Sequence, residues 1–418
     1  NHRRISRRGP CRRACAMKVL FITARIPYSG VAGGHALVYQ RITRLAQRGH
    51  QIGLAALIEP GHAINTADPL FSSLIEYAAL PQPKPAGSVK RMARALFSKI
   101  PGFFHEVRSP ALMRRIGDMV HESGYDLVVA EFSAMGQYLY RNPYLPAVRK
   151  IVSCHFSVAT FSPDLARNLR ASGHAPTSRL GMDRLLNYEI SSYRSVDRVL
   201  VLTAHDRYSL LNADPTLRVN VIPVGVDTTY FRPSTALPSD ELALVYTGQY
   251  EVYSNLDAVR WFVATCWPIL KARRPGLKFY IVGPGNQTAL RELSRKDESI
   301  VVTGGVNDIR PYLERATLFV CPVRLGSGLR FKLLEAMAAG LPLVTTTLGA
   351  EGIPLQNGDN CFMADKPEIM AECIDLLLGD ESLRQSISSQ ARRLVEERFN
   401  WNHGIDLMEE VMQDVFLH

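Results

Sequence analysis

Short apolar runs separated by stretches of helical period recur along most of this chain. Lys18–Thr23 (KVLFIT), 51–58, 125–130 (YDLVVA), 150–154 (KIVSC), 198–202 (RVLVL) and 219–222 read as strands buried on both faces. Helices are expected between them, one reaching about Arg48 and closed by Gly49, the others near 111–122, 179–195 and 204–213. Residues 60–110 show no regular period and read as irregular. The stretch VIPVGVDTTYFRP (221–233) has Pro and Gly on both sides of a short extended piece, as a linker should. Alternation then resumes with Ala243–Thr247, a helix over 254–273, strand 277–282, a helix near 287–295, strand 299–302 and the apolar run Ala316–Cys321. A helix over Leu329–Ala339 closed by Gly340, a strand over Pro342–Thr345 and a helical region over 366–416 complete the pattern. Strands alternating with helices predict an α/β protein with doubly wound parallel sheets. The expected division is a domain over 17–222, a linker over 223–235, a second domain over 236–400 and a final helix over 401–418.

Composition narrows the classes. The 418 residues and 46% apolar content fit two soluble globular domains, and no apolar stretch reaches 18 residues. Seven cysteines are scattered without a C-x2-C pair, which predicts reduced thiols in a cytoplasm-like compartment and no zinc site. The net charge of +10 is concentrated in two places. Residues 1–16 hold six Arg and no acid, while 84–115 hold eight Lys or Arg against Glu106 alone, so the remainder is slightly acidic. That distribution argues against a nucleic-acid binder. The 1–16 segment reads as a disordered basic arm. A secretory signal competes for the same residues, but its apolar core, VLFITA, serves better as the first strand. Within 84–115, Val89, Met92, Ala93, Leu96 and Phe97 share one helical face amid Lys90, Arg91, Arg94 and Lys99. Such a stretch suits an anionic membrane surface or a lipid-linked acceptor, or else packs on its own domain.

The chemistry concentrates in Pro322–Pro354. Here strand, glycine turn and helix follow one another, leaving free N–H groups and a positive dipole end above the sheet. Arg330 and Lys332 add positive charge in the first turn. Glu335 follows roughly 10 Å along the axis from Gly328, at 1.5 Å per residue. A diphosphate on the helix start and a carboxylate for sugar hydroxyls would use all of these. Gly33 and Gly34 sit where the first strand meets its helix, a place where backbone approaches phosphate. Glu131 and His155 lie just past strand ends, where open sheets bind ligands. No Asp-x-Asp occurs, and no His, Cys and Asp cluster has metal-ligand spacing.

The 322–354 segment resembles the nucleotide-sugar motif of retaining glycosyltransferase family 4, of the GT-B fold, in its bacterial exopolysaccharide or cell-surface-glycan branch. VIPVGVDTTYFRP resembles the family's IPNGVD signature, with Val224 in place of Asn. The resemblance implies two Rossmann-like domains facing a cleft and a last helix returning to the first, acceptor-side domain. It places Glu335 on the donor ribose, His155 near the donor sugar, and Gly305 and Val306 near the base. Donor binding is then expected at Gly33, Gly34, Gly248, Gly305, Val306, Ser327, Gly328, Leu329 and Glu335, with His155, Arg330 and Lys332 catalytic and Glu131 on the acceptor side. Ser327 stands where many members carry a first Glu. The basic pair commonly found after Gly248 is missing, with Arg330 and Lys332 as substitutes. The implied reaction is metal-independent transfer, with retention, of a hexose-type sugar from a UDP- or GDP-sugar to a glycan, lipid-linked or small-molecule acceptor. A GT-B epimerase and a non-catalytic nucleotide-sugar binder remain alternatives. The expected location is cytoplasmic, with peripheral contact on the inner face of the cell membrane.

Overall fold

A computed structural model describes residues 16–28, 34–59, 64–83, 98, 100–160, 179–233, 242–295, 297–326 and 328–418. The arm 1–15, Gly33, Ser327 and the basic stretch 84–97 lie outside the described residues.

Lys18–Thr23 (β1), Gln51–Ile58 (β2), Leu74–Pro81 (β3), Leu127–Glu131 (β4), Arg149–Cys154 (β5), Arg198–Val201 (β6) and Val219–Val221 (β7) form one parallel sheet, ordered β3-β2-β1-β4-β5-β6-β7. Ala243–Thr247 (β8), Lys278–Val282 (β9), Ile300–Gly304 (β10), Leu318–Cys321 (β11), Leu343–Thr345 (β12) and Phe362–Met363 (β13) form the second, ordered β10-β9-β8-β11-β12-β13. The order reverses between β1 and β4 and between β8 and β11, which opens a crevice at the carboxyl ends of those strands. Register matters at one pair: Glu131 at the end of β4 faces Ser153 of β5.

Local chemistry explains the helix ends. The Pro110–Ser123 helix starts with Ser109 accepting from Leu112 N–H and with Pro110 in the first turn, and it stops at Gly124, whose φ of +62° is left-handed. The expected long helix over 254–273 is instead two, Tyr253–Thr265 and Trp267–Arg273, because Pro268 supplies no N–H and breaks the ladder at Cys266. Within the irregular 60–110 stretch lies β3, an edge strand with half-exposed alternation that makes a weak apolar signal. Short elements at Arg310–Arg315 and Phe362–Met363 carried no readable period either.

The Trp401–Leu417 helix lays Ile405, Met408, Val411, Met412 and Val415 into one apolar cluster with Val19, Phe21 and Leu54 of the first sheet. Arg48 pairs with Asp406 and Glu409 at 2.6 Å at the rim of that contact. The chain just before the helix is tied to the linker by a bridge between Val226 and Asn400. Within the basic 84–115 stretch, Phe104 is fully buried against Tyr188 and Phe103 is exposed. Among the described residues no helix is long and apolar enough to cross a membrane.

Candidate active site

Two constellations lie at the carboxyl ends of the two sheets. On the first sheet, Arg41 of the Gly34–Gln47 helix points inward, fully buried, and its Nη1 donates to Glu131 Oε1 at 3.0 Å, Glu131 Oε2 at 3.1 Å and Ser153 Oγ at 2.6 Å. His155 Nε2 lies 2.6 Å from Glu131 Oε2. Burial alone would raise the Glu131 carboxyl, yet Arg41 and the His155 contact bring it down to about 2. The carboxylate is therefore ionised and accepts only, so His155 Nε2 carries the proton. Burial lowers the His155 pKa against the pull of Glu131, which keeps the imidazole neutral. Its Nδ1 is then a lone-pair acceptor, and it has no partner among the described residues.

That free nitrogen looks toward Gly34. A Cβ there would sit 2.9 Å from His155 Nδ1 and 2.6 Å from the Phe132 ring, so only glycine lets the helix start approach. Phe132, at φ +75°, holds its ring 4.3 Å from the imidazole. His35 joins them 5.0 Å from Phe132, with burial taking its pKa to about 4. Glu131, expected on the acceptor side, is wholly enclosed, and both its oxygens are engaged by Arg41 and His155. It is a positioning residue for the imidazole, because the β4–β5 register turns its side chain beneath His155 instead of into the crevice.

On the second sheet, the Phe331–Ala338 helix opens at Arg330 without a side-chain cap and with no acid in its first turn. Lys332 Nζ donates to Asn255 Oδ1 at 2.9 Å and Tyr246 Oη at 3.0 Å and lies 4.1 Å from the Tyr246 ring centroid. A Cβ on Gly248 would stand 3.0 Å from the same Nζ, which places Lys332 directly over the β8 turn that lacks its own basic pair. Burial lowers Lys332 to about 8 and raises Glu335, one turn on, to about 7. The Glu335 carboxylate is half-buried and has no hydrogen-bond partner among the described residues. Gly326 and Gly328, at φ +90° and +92°, shape the loop before the helix, and Gly328 N–H donates to Glu351 Oε2 at 3.0 Å. Leu329 is buried, and Gly305 and Val306 follow β10 with Gly305 exposed. Gly33 and Ser327 lie outside the described residues.

Sequence reading missed Arg41, His35, Asn255, Tyr246 and Glu351. A helical Arg with no nearby acid in sequence gives no sign that it will be buried. Glu351 bridges the halves, since its other oxygen lies 3.5 Å from His205 Nε2 and the adjacent Gly352 meets Thr203. Among the described residues no group of His, Cys, Asp and Glu could hold a metal ion.

The strand ends of one parallel sheet thus carry a cationic helix start and those of the other an oriented imidazole. Residues 31–230 match the family model "Glycosyltransferase Family 4" and residues 241–380 match "Glycosyl transferases group 1". The chain belongs to glycosyltransferase family 4. It is 25% identical to a D-inositol 3-phosphate glycosyltransferase of Rhodococcus erythropolis over 50% of this chain and 52% of that one. A protein of Salmonella typhimurium named for colanic acid biosynthesis, the glycosyltransferase WcaL, is 23% identical over 92% of this chain and 96% of its own. The chain spans about half the length, or less, of the first curated relatives it matches. Among solved structures it resembles a sucrose-phosphate synthase from Thermosynechococcus elongatus, with TM-score 0.73, 16% identity and coverage of 96% and 99%. Anabaena Alr3699/HepE in complex with UDP and glucose gives TM-score 0.67 and 16% identity, with coverage of 95% and 100%. These likenesses establish the GT-B fold.

Proposed function

We propose that the protein transfers a hexose-type sugar from a nucleotide diphosphate sugar, UDP- or GDP-linked, to a glycan, lipid-linked or small-molecule acceptor, with retention and without a metal. The observation that carries this reading is Lys332, buried over the Gly248 turn and held by Asn255 and Tyr246, with the unpaired Glu335 carboxylate one turn further on. A buried ammonium with only neutral hydrogen-bond acceptors is suited to a diphosphate, and a free carboxylate at that distance suits ribose hydroxyls. Arg330 and the uncapped helix start add further positive potential where leaving-group charge develops, each contact contributing about 1–3 kcal/mol. His155 Nδ1 accepts a hydrogen bond from a hydroxyl of the donor sugar, its orientation set by Glu131 and Arg41. The leaving phosphate itself helps deprotonate the acceptor on the same face.

The relative named for colanic acid biosynthesis supports an exopolysaccharide or cell-surface-glycan role. A cytoplasmic location, with the basic 84–115 stretch on an anionic membrane, suits a lipid-linked acceptor. The deciding experiment is calorimetric titration with UDP and GDP, followed by a transfer assay with and without chelator. One nucleotide should bind, Glu335→Ala should weaken it by about 1.5–3 kcal/mol, and turnover should survive chelation. Unchanged nucleotide affinity in that variant, or turnover abolished by the chelator, would refute the corresponding part of the reading.

A further inference from the structure

The Arg179–Tyr193 helix has two working faces. On the inner one Glu189, fully buried, accepts from Ser157 Oγ at 2.8 Å and Val158 N–H at 3.0 Å, so the helix anchors the segment directly after His155. On the outer one Arg184, Asn187, Tyr188 and Ser191 fall at helical spacing along one wall of a depression of about 400 Å³. Arg108, Tyr140, Arg141 and Ile100 supply the rest of the described lining, which contains three guanidinium groups and no carboxylate.

These groups are held in place. Gln137 is fully buried, and its amide nitrogen donates to Phe104 O at 2.8 Å and Ala134 O at 2.9 Å, which turns Oε1 toward Arg108 Nη1 at 3.3 Å. Arg141 adopts φ +50°, a left-handed conformation unusual for a side-chain-bearing residue, and its guanidinium lies 5.0 Å from the Tyr140 ring centroid. Tyr140 meets Tyr188 edge-on at 5.8 Å, and Tyr188 packs on Phe104 at 4.6 Å. No carboxylate stands beside Arg108 or Arg141 in the described lining. An ordinary solvated basic face needs neither concavity, nor an aromatic floor, nor a strained Arg. Arg184 is engaged by Ser98 O, and the guanidinium groups of Arg108 and Arg141, on a space within the usual range of ligand sites, match the tetrahedral oxygens of a phosphate.

We infer that this depression binds a phosphate group, and that the phosphate is carried by the acceptor. The second half of that statement rests on the transferase reading, while the affinity for phosphate does not. Because one helix carries both the pocket and the anchor of the His155 segment, a bound phosphate is fixed relative to the donor-sugar imidazole.

The test uses the full chain with UDP or GDP present at saturation, so that the donor site is filled. Calorimetric titration then follows with glycerol 3-phosphate in solution and with farnesyl phosphate in neutral detergent micelles. At least one should bind saturably, and Arg108→Gln and Arg141→Gln should each weaken it about tenfold while leaving nucleotide affinity unchanged. Tighter binding of farnesyl phosphate identifies a lipid-linked source, and equal binding identifies a soluble phosphorylated acceptor. No saturable binding of either probe by the wild type, or equal binding by both variants, overturns the assignment. Failure of the wild type to bind either nucleotide counts against the transferase reading instead.

Discussion

Lys332 and Glu335 are displaced from their ordinary pKa values in opposite directions, and both displacements come chiefly from burial. On the proposed reading, donor binding needs Lys332 protonated and Glu335 ionised. Affinity for the nucleoside diphosphate should therefore fall as pH rises through about 8 and also as it drops through about 7. Calorimetry across that window should give a maximum between the two values; Lys332→Met should flatten the alkaline limb and Glu335→Gln the acid limb. A profile that is level in the wild type would remove both groups from the donor site. His155 belongs to a different step. On the proposed reading its neutral ring serves the donor sugar, so His155→Ala should lower kcat while nucleotide affinity stays near wild type. Full turnover of that variant with a true acceptor would make the imidazole structural.

At the scale of elements, Arg41 joins the Gly34–Gln47 helix to the ends of β4 and β5. Removing it leaves the Glu131 carboxylate buried with His155 and Ser153 and no full counter-charge. Arg41→Ala should destabilise the protein by about 3–5 kcal/mol, as expected when one member of a buried pair is deleted. The pH dependence has a definite sign. The wild-type Glu131 pKa is depressed to about 2, so its contribution is fully present above the unfolded carboxyl value and is lost as pH falls toward 2. The variant's deficit should accordingly be largest near neutral pH and shrink in acid. Urea unfolding at neutral and at acid pH reads this directly, and a pH-independent deficit would show that the lost packing of Arg41, rather than its charge, dominates.

For the whole molecule, charge is distributed in patches, and the 84–115 stretch carries eight basic residues against one acid. Part of that charge is occupied within the fold: Arg115 pairs with Glu122 at 3.2 Å and Arg114 lies over Tyr144. The proposed membrane contact is then expected to depend on Lys90, Arg91, Arg94 and Lys99 with the exposed Phe103. Each basic residue near an anionic surface is worth about 1 kcal/mol. Co-sedimentation with anionic vesicles should weaken at high salt and drop when Lys90, Arg91 and Arg94 become Gln. Equal recovery on neutral vesicles would reduce the stretch to an ordinary solvated face.

Strand period, glycine turns and the 322–354 motif were legible in the chain because they are local. Val19–Ile22, Leu244–Tyr246 and Leu318–Val320 are apolar on both faces, and only a sheet covered by helices on both sides accommodates that. Gly328, Lys332 and Glu335 were readable for the same reason, since a glycine turn and one short helix carry them in sequence after one strand end. Contacts across long separations were not readable. Arg41 meets Glu131 ninety residues away only because the helix after β1 packs over β4, and β4 pairs in register with β5. That pairing moved Glu131 from the crevice to beneath His155. Likewise Tyr246 and Asn255 are recognisable as the holders of Lys332 only once β8 and β11 lie side by side. Local sequence thus determined which segments form strands and helices, and where an anion could sit. Tertiary packing decided which charges are buried, which partners they find, and therefore which protonation states the site uses.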